Sequence, residues 1–307
     1  MIRFLSPQAL GSSSEQSIKE HFSSSMRHHS GDRLFIYKKV NGQELSISLY
    51  EPPEYHPARK YPLIVFLHGG GWHSRKIFAD QSGWAGDYLG FLARYFANRG
   101  CLCASIDYRL LRNQGQEAGY ELIDLYEDCA DAVSYLKNHA AELGIDENCT
   151  AVLGESAGGY LAAALVTLPM GKPFYFRTAI LVNAITDLSD PRWSRFIAEN
   201  SSHPLLKGKS MPEKIQLLSP AMQIGAHTCS TLLLHGTEDR VVFPFHSCKF
   251  YDLLRACETE VRLDWITKTN HAFLLTEYML ENHVSLQPAL AGVHAIEEWL
   301  EKRAFII

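Results

Sequence analysis

A serine stands between two glycines where a short apolar run meets a run of small, helix-forming residues. The segment reads Gly-Glu-Ser-Ala-Gly over residues 154–158, with Thr-Ala-Val-Leu before it and Gly-Tyr-Leu-Ala-Ala-Ala-Leu after it. A chain that passes directly from a strand into a helix needs glycines there, because a Cβ atom would hold the two elements apart. The pattern therefore predicts a tight strand–turn–helix in which Ser156 occupies a strained turn and presents its hydroxyl group to solvent.

A second glycine-rich loop follows the apolar residues 63–67 and reads His-Gly-Gly-Gly-Trp over residues 68–72. Glycine N–H groups can approach a reacting carbonyl oxygen without interference from a side chain. The N–H groups of Gly70, Gly71 and Ala157 are therefore predicted to form an oxyanion hole. A phosphate cradle is the alternative, but the loop lacks the Gly-Lys-Ser/Thr ending of such cradles.

Candidates for a catalytic acid and base follow two later strand-like runs. Asp239 comes after the apolar residues 231–234, and His271 comes after residues 261–266. A nucleophilic serine needs a base to take its proton and a carboxylate to orient that base. The chain order serine, aspartate, histidine is the one expected for a serine on this kind of turn. Rival candidates are His235 for the base, and Glu238, Asp187 and Asp264 for the acid.

These motifs resemble those of α/β-hydrolase superfamily carboxylesterases, in the acetyl-esterase, feruloyl-esterase and hormone-sensitive-lipase branches. The chain departs from the hormone-sensitive-lipase branch at residues 111–113, where Leu-Arg-Asn replaces Ala-Pro-Glu. Residues 73–90 are more similar to the acetyl-esterase and feruloyl-esterase branch. The positions that carry the resemblance are residues 69–71, residues 107–110 (Asp-Tyr-Arg-Leu), Ser156, Asp239 and His271.

The resemblance implies an α/β-hydrolase fold: a mostly parallel, eight-stranded sheet with helices on both faces and an antiparallel N-terminal edge. The 307 residues contain neither a linker nor an internal repeat, which favours a single domain over residues 1–307. Within it, residues 1–32 are predicted to form an N-terminal arm that could pack over the site. The proline-containing residues 186–227 are predicted to form a cap insertion, with a surface excursion as the alternative.

Local patterns predict where the helices lie. Apolar residues spaced three or four apart predict one helix over residues 124–143, ended by Gly144 as its C-cap. The same spacing predicts a helix over residues 287–302, and residues 91–98 are predicted to form another.

Composition excludes several classes of partner. There are 34 acidic and 29 basic residues and no basic block, which argues against nucleic acid and anionic membranes. No apolar run approaches the roughly 20 residues of a membrane helix, so no membrane span is expected. The seven cysteines lack Cys-x-x-Cys spacing and no signal peptide is recognised, so we expect free thiols and a cytoplasmic location. No metal and no cofactor are expected, and the sequence leaves the oligomeric state open.

Several side chains are candidates for the substrate pocket, although each aromatic one also fits ordinary core packing. Glu155 precedes the predicted nucleophile and is expected to support the loops through hydrogen bonds rather than to take part in catalysis. The aromatic candidates are Trp72, Trp84, Trp193, Phe243 and Phe273.

The function expected from these residues is hydrolysis of carboxylic esters through an acyl-enzyme on a serine. The resemblance implies a small acyl group such as acetyl, with acetylated carbohydrates among the substrates. An amide hydrolase, such as an arylformamidase or a small peptidase, is the alternative, because it would use the same groups. An inert binding protein with this fold is the alternative from another class.

Overall fold

A nine-stranded sheet forms the centre of the computed structural model, which describes residues 1–6, 31–73, 89–111, 119–168, 175–274 and 286–306. The strands are β1 (Ile2–Leu5), β2 (Arg33–Val40), β3 (Gln43–Tyr50), β4 (Tyr61–Leu67), β5 (Leu102–Ile106), β6 (Ile145–Glu155), β7 (Thr178–Val182), β8 (Ser230–Gly236) and β9 (Val261–Ile266).

The strand order is β1-β9-β8-β7-β6-β4-β5-β3-β2. All neighbours from β1 to β5 pair in parallel, whereas β3 pairs antiparallel with β5 and β2 pairs antiparallel with β3. This arrangement confirms the predicted fold class, including the antiparallel edge.

The sheet has one strand more than the eight expected. The additional strand is β1, which pairs in parallel with β9 at the edge opposite β2. The sequence predicts only an N-terminal arm for these four residues, because a run this short shows too little periodicity to identify a strand. Residues 7–30 of that arm lie outside the described part of the chain.

Helices cover both faces of the sheet. One face packs against α1 (Gly90–Ala97) and α7 (Gln287–Glu301), and the other packs against α2 (Leu122–Asn138), α3 (Ala157–Thr167) and α6 (Phe245–Ala256). Alternate side chains of β4 enter the two cores, as the two-residue period of a strand requires. Among the helices of the described ranges, none has the length and apolar character needed to cross a bilayer.

The helix predicted over residues 124–143 is wrong at its C-terminal end. Helix α2 ends at Asn138, and residues 139–144 form turns. Ala140 and Leu143 are nevertheless buried. The apolar residues whose spacing predicts a longer helix therefore pack into the core from turns instead. Gly144 has φ of 63° and lies in the turn that leads into β6, rather than at a helix C-cap.

Two short helices, α4 (Pro191–Ser194) and α5 (Met211–Leu218), and a 3-10 turn (Pro220–Gln223) occupy the segment proposed as a cap. Its apolar residues Leu188, Trp193, Leu206 and Leu218 join the core on the α3 side of the sheet. The segment therefore packs onto the molecule through its own apolar face.

Candidate active site

Ser156 occupies the turn between β6 and α3 in a backbone conformation that L-residues rarely adopt. Its φ is 54° and its ψ is −117°. The turn is held in place because the N–H of Ser156 donates to the carbonyl oxygen of Val182, at 2.9 Å. Backbone strain of this kind persists only where the surrounding structure fixes it, and it is common at catalytic residues.

The glycines around Ser156 permit close contact between backbone segments. A Cβ atom on Gly158 would lie 2.1 Å from the carbonyl oxygen of Leu67, and one on Gly154 would lie 2.2 Å from that of Gly158. Helix α3 therefore begins directly against the end of β4, where the second glycine-rich loop starts. This contact places the two glycine-containing motifs side by side.

We expect Gly158→Ala to lower the free energy of unfolding by more than about 4 kcal/mol, because the new methyl group would collide with backbone rather than with a movable side chain. Urea denaturation followed by circular dichroism measures the loss. Gly208→Ala is the control, since Gly208 has φ of 74° but nothing within 4 Å of the new Cβ. That variant should lose about 1 kcal/mol from backbone strain alone, and equal losses in the two variants would contradict the packing argument.

The structure brings together the three side chains predicted to form the catalytic group. Nε2 of His271 lies 2.9 Å from Oγ of Ser156, and Nδ1 of His271 lies 2.7 Å from Oδ2 of Asp239. Ser156 is 9% exposed, so the residue is largely covered rather than fully presented to solvent as predicted. If Nδ1 carries the imidazole proton and donates it to Asp239, Nε2 is left to accept a proton from Ser156.

Asp239 is fixed as a carboxylate by several donors. Its Oδ1 accepts from the N–H groups of Val241 and Val242, at 2.9 and 3.0 Å, and its Oδ2 also lies 3.3 Å from Nε2 of His235. Burial alone would raise the pKa of Asp239, but hydrogen bonds from His235 and His271 outweigh it and hold that pKa well below its usual range. Asp239 is therefore charged at any pH where the protein would work.

The rival residues have other partners. His235 bonds through Nδ1 to Oγ of Ser247, at 2.7 Å, and through Nε2 to the carbonyl oxygen of Val242, at 2.8 Å. Asp187 pairs with Lys249, Glu238 is exposed, and Asp264 pairs with two arginines. Of these rivals only His235 contacts the group formed by Ser156, His271 and Asp239, and it does so through Asp239.

The predicted oxyanion loop has the backbone conformation that its glycines allow. Gly70 and Gly71 have φ of 100° and 62°. The loop is tied to the start of α3, because Nε1 of Trp72 donates to the carbonyl oxygen of Ala157, at 3.1 Å. Ala157 is the first residue of α3, where backbone N–H groups have no acceptor within the helix. Its N–H is thus suited to bind an anion, as the partial positive charge of a helix N-terminus favours.

The aromatic pocket candidates occupy different environments. Trp72 is fully buried, with its ring edge-to-face against Tyr160, Trp193 and Phe196 at 5.3 to 5.9 Å. Phe243, in contrast, is 44% exposed and lies under the guanidinium group of Arg192, at 3.5 Å. Phe273 is buried in the opposite core, and Trp84 lies outside the described residues.

Reasoning from the sequence missed two residues of the segment that carries Trp193. Phe196 packs against Trp72, Trp193 and His73. Lys214 is buried, and its Nζ donates to the carbonyl oxygens of Ala198 and Glu199, at 2.7 and 2.5 Å, which fixes the backbone just after Phe196. No local pattern signals such a role, since lysine is ordinarily exposed.

No group of three or more His, Cys, Asp or Glu side chains within the described ranges could hold a metal ion. The absence of a metal or cofactor remains a prediction.

The strand order, the strained serine turn and the converging side chains define an α/β-hydrolase fold. The chain belongs to the BD-FAE family, whose model matches residues 47–254. That match covers more than half of the chain and includes Ser156 and Asp239.

Curated relatives and solved structures agree with this assignment. The chain is 28% identical over 227 residues to Carboxylesterase NlhH of Mycobacterium tuberculosis, covering 71% of this chain and 65% of NlhH. It is 31% identical over 127 residues to an arylesterase of Saccharolobus solfataricus, covering 41% of this chain and 36% of the arylesterase. A structure of Thermogutta terrifontis esterase 2 phosphorylated by paraoxon matches with a TM-score of 0.72 and 25% identity, over 91% of this chain and 96% of that one. The chain thus spans just under two thirds of the length of NlhH.

Proposed function

We propose that this protein hydrolyses carboxylic esters through an acyl-enzyme on Ser156, with Asp239 and His271 completing a catalytic triad. The observation that supports this most directly is the pair of short contacts that join Ser156, His271 and Asp239. The carboxylesterase and arylesterase relatives support the same chemistry.

In the proposed reaction, Oγ of Ser156 attacks the ester carbonyl carbon while its proton passes to Nε2 of His271. The N–H groups of Gly70, Gly71 and Ala157 stabilise the negative oxygen of the tetrahedral intermediate. When the intermediate collapses, the alcohol leaves with the proton from Nε2. Water then attacks the acyl-enzyme by the same route and releases the carboxylic acid.

A small acyl group is proposed because aromatic rings fill the space beside the oxyanion loop. Trp72, Trp193 and Phe196 pack edge-to-face or stacked there, and such rings limit how far an acyl chain can extend along that side. The resemblance to acetyl esterases supports acetyl as the acyl group and acetylated carbohydrates as substrates. Residues 186–227, which contribute Trp193, are proposed to act as the cap that shapes this pocket.

Phosphorylation by paraoxon tests the proposed nucleophile directly. The serine oxygen would bond to phosphorus as p-nitrophenolate leaves, and Thermogutta terrifontis esterase 2 is a similar protein that paraoxon phosphorylates. Mass spectrometry of a peptide digest should place the diethylphosphoryl group on Ser156 and find none in Ser156→Ala. If the wild-type protein stayed unmodified, the alternative of an inert binding protein would be favoured.

A second comparison separates an esterase from an amide hydrolase: turnover is measured on an acetyl ester and on a matched formyl amide, and the faster substrate identifies the activity.

We expect Trp193→Ala to shift the acyl preference toward longer chains. Removing the indole ring opens space beside Trp72, so kcat/KM for an octanoyl ester relative to an acetyl ester should rise by about tenfold or more. A series of p-nitrophenyl esters from acetyl to octanoyl measures the change. Phe245→Ala, which removes an exposed ring, is the control, and an unchanged ratio in Trp193→Ala would show that Trp193 does not limit the acyl group.

A further inference from the structure

Glu155 is a buried carboxyl group immediately before the proposed nucleophile. It is 1% exposed and ends strand β6, facing the same side of the sheet as Ala151 and Leu153. That side is the apolar core beneath α1 and α7. A carboxyl group in such a place needs either a cation and hydrogen-bond donors or a proton of its own.

Among the described residues, no cation or hydrogen-bond donor compensates this carboxyl group, so the hydrogen bonds to neighbouring loops expected from the sequence are not found there. Neither Oε1 nor Oε2 has a hydrogen-bond partner, and no ion pair to Glu155 is found in the described part of the chain. Other buried carboxylates of the same protein are compensated: Asp128 pairs with Arg109 and Lys38, and Asp264 pairs with Arg3 and Arg262. Glu155 differs from them because ionising it would leave an unpaired charge in the core.

A negative charge already present nearby adds to this cost. The charged group found to act on Glu155, among the described residues, is the carboxylate of Asp239 from the loop after β8. Burial, and then repulsion by Asp239, raises the pKa of Glu155 to about 8. Both causes act in the same direction, because each disfavours the charged form of Glu155.

We propose that Glu155 is held as an uncharged carboxylic acid next to Ser156, leaving Asp239 as the carboxylate that acts on His271. This inference rests on the proposed function. If Glu155 were charged at neutral pH, a second negative charge would stabilise the imidazolium form of His271 and keep it from acting as a base. Such a charge would also oppose the negative oxygen that forms beside Ser156.

The pH–activity profile of Glu155→Gln tests this state. A neutral amide of nearly the same shape replaces a neutral acid, so the acidic limb of kcat/KM should stay where it is in the wild type. Above about pH 8 the wild-type kcat/KM should fall as Glu155 ionises, and the variant should not show that fall. If the acidic limb of the variant moved to lower pH by about one unit or more, Glu155 would be charged in the wild type and the proposal would be wrong.

Stability gives a readout that needs no substrate. The folded protein would bind the Glu155 proton more tightly than the unfolded chain, with a pKa of about 8 rather than 4.5. Between those values unfolding releases a proton, so wild-type stability should fall relative to Glu155→Gln as pH rises from about 4.5 to about 8, and the difference should then level off. A difference in Tm between the two proteins that does not change over this range would contradict the proposal.

Infrared titration of the wild type covers the case in which Glu155→Gln fails to fold. A carbonyl stretch from a protonated carboxylic acid should be present at pH 7 and should disappear with a midpoint near 8, and its absence at pH 7 would overturn the proposal. Glu238→Gln is the matched control, because it removes an exposed charge from the loop of Asp239 and should move neither the profile nor the band. Since the titration uses no ester, its outcome is independent of whether the protein hydrolyses esters.

Discussion

Ser156→Ala is expected to reduce kcat for an acetyl ester by about a millionfold while leaving the fold intact. The alanine keeps the strained turn and removes only the oxygen that lies 2.9 Å from Nε2 of His271. Residual hydrolysis above the rate in water should remain, because Gly70, Gly71 and Ala157 would still stabilise an oxyanion.

The measurement compares kcat for p-nitrophenyl acetate in the variant and the wild type, with circular dichroism as the test of folding. Ser230→Ala serves as the control, since Ser230 begins strand β8 at the end of the sheet opposite the site. A Ser156→Ala enzyme with more than a few per cent of wild-type activity would reject Ser156 as the nucleophile.

Asp239→Asn should lower kcat by about ten-thousandfold. Its amide NH₂ group can donate to Nδ1 of His271, at the position where Oδ2 of Asp239 now lies 2.7 Å away. That exchange would place the imidazole proton on Nε2, which could then no longer accept the proton of Ser156. The loss therefore comes from the wrong tautomer rather than from a lost contact.

Turnover of the same ester measures this effect, and Glu238→Gln controls for removal of a negative charge from the same loop. Glu238 is exposed, so its variant should keep wild-type activity. Two equal losses would indicate that charge in the loop matters and that the contact between Asp239 and His271 does not.

Much of the fold could be predicted from local patterns. Strand β7 begins and ends where its apolar run does, because a strand covered on both faces carries a nearly unbroken apolar sequence. Strand β9 also has the bounds predicted for it, although Arg262 and Asp264 alternate with its apolar residues. Strand β1 and the early end of α2 could not be predicted, since each depends on contacts elsewhere in the molecule. Ile2–Leu5 becomes a strand only through pairing with β9, and residues 139–144 bury their apolar side chains in turns.

The sequence by itself determined the candidate side chains and their order, because each chemical requirement selects a residue type at a recognisable place: a serine between glycines, and an acid and a base after strands. Only the tertiary structure decided which partners meet. It placed His235 against Asp239, buried Lys214 against the backbone after Phe196 and left Glu155 with no counter-charge among the described residues. Burial and distance govern these outcomes, and both depend on segments far apart in the chain, which no local pattern encodes.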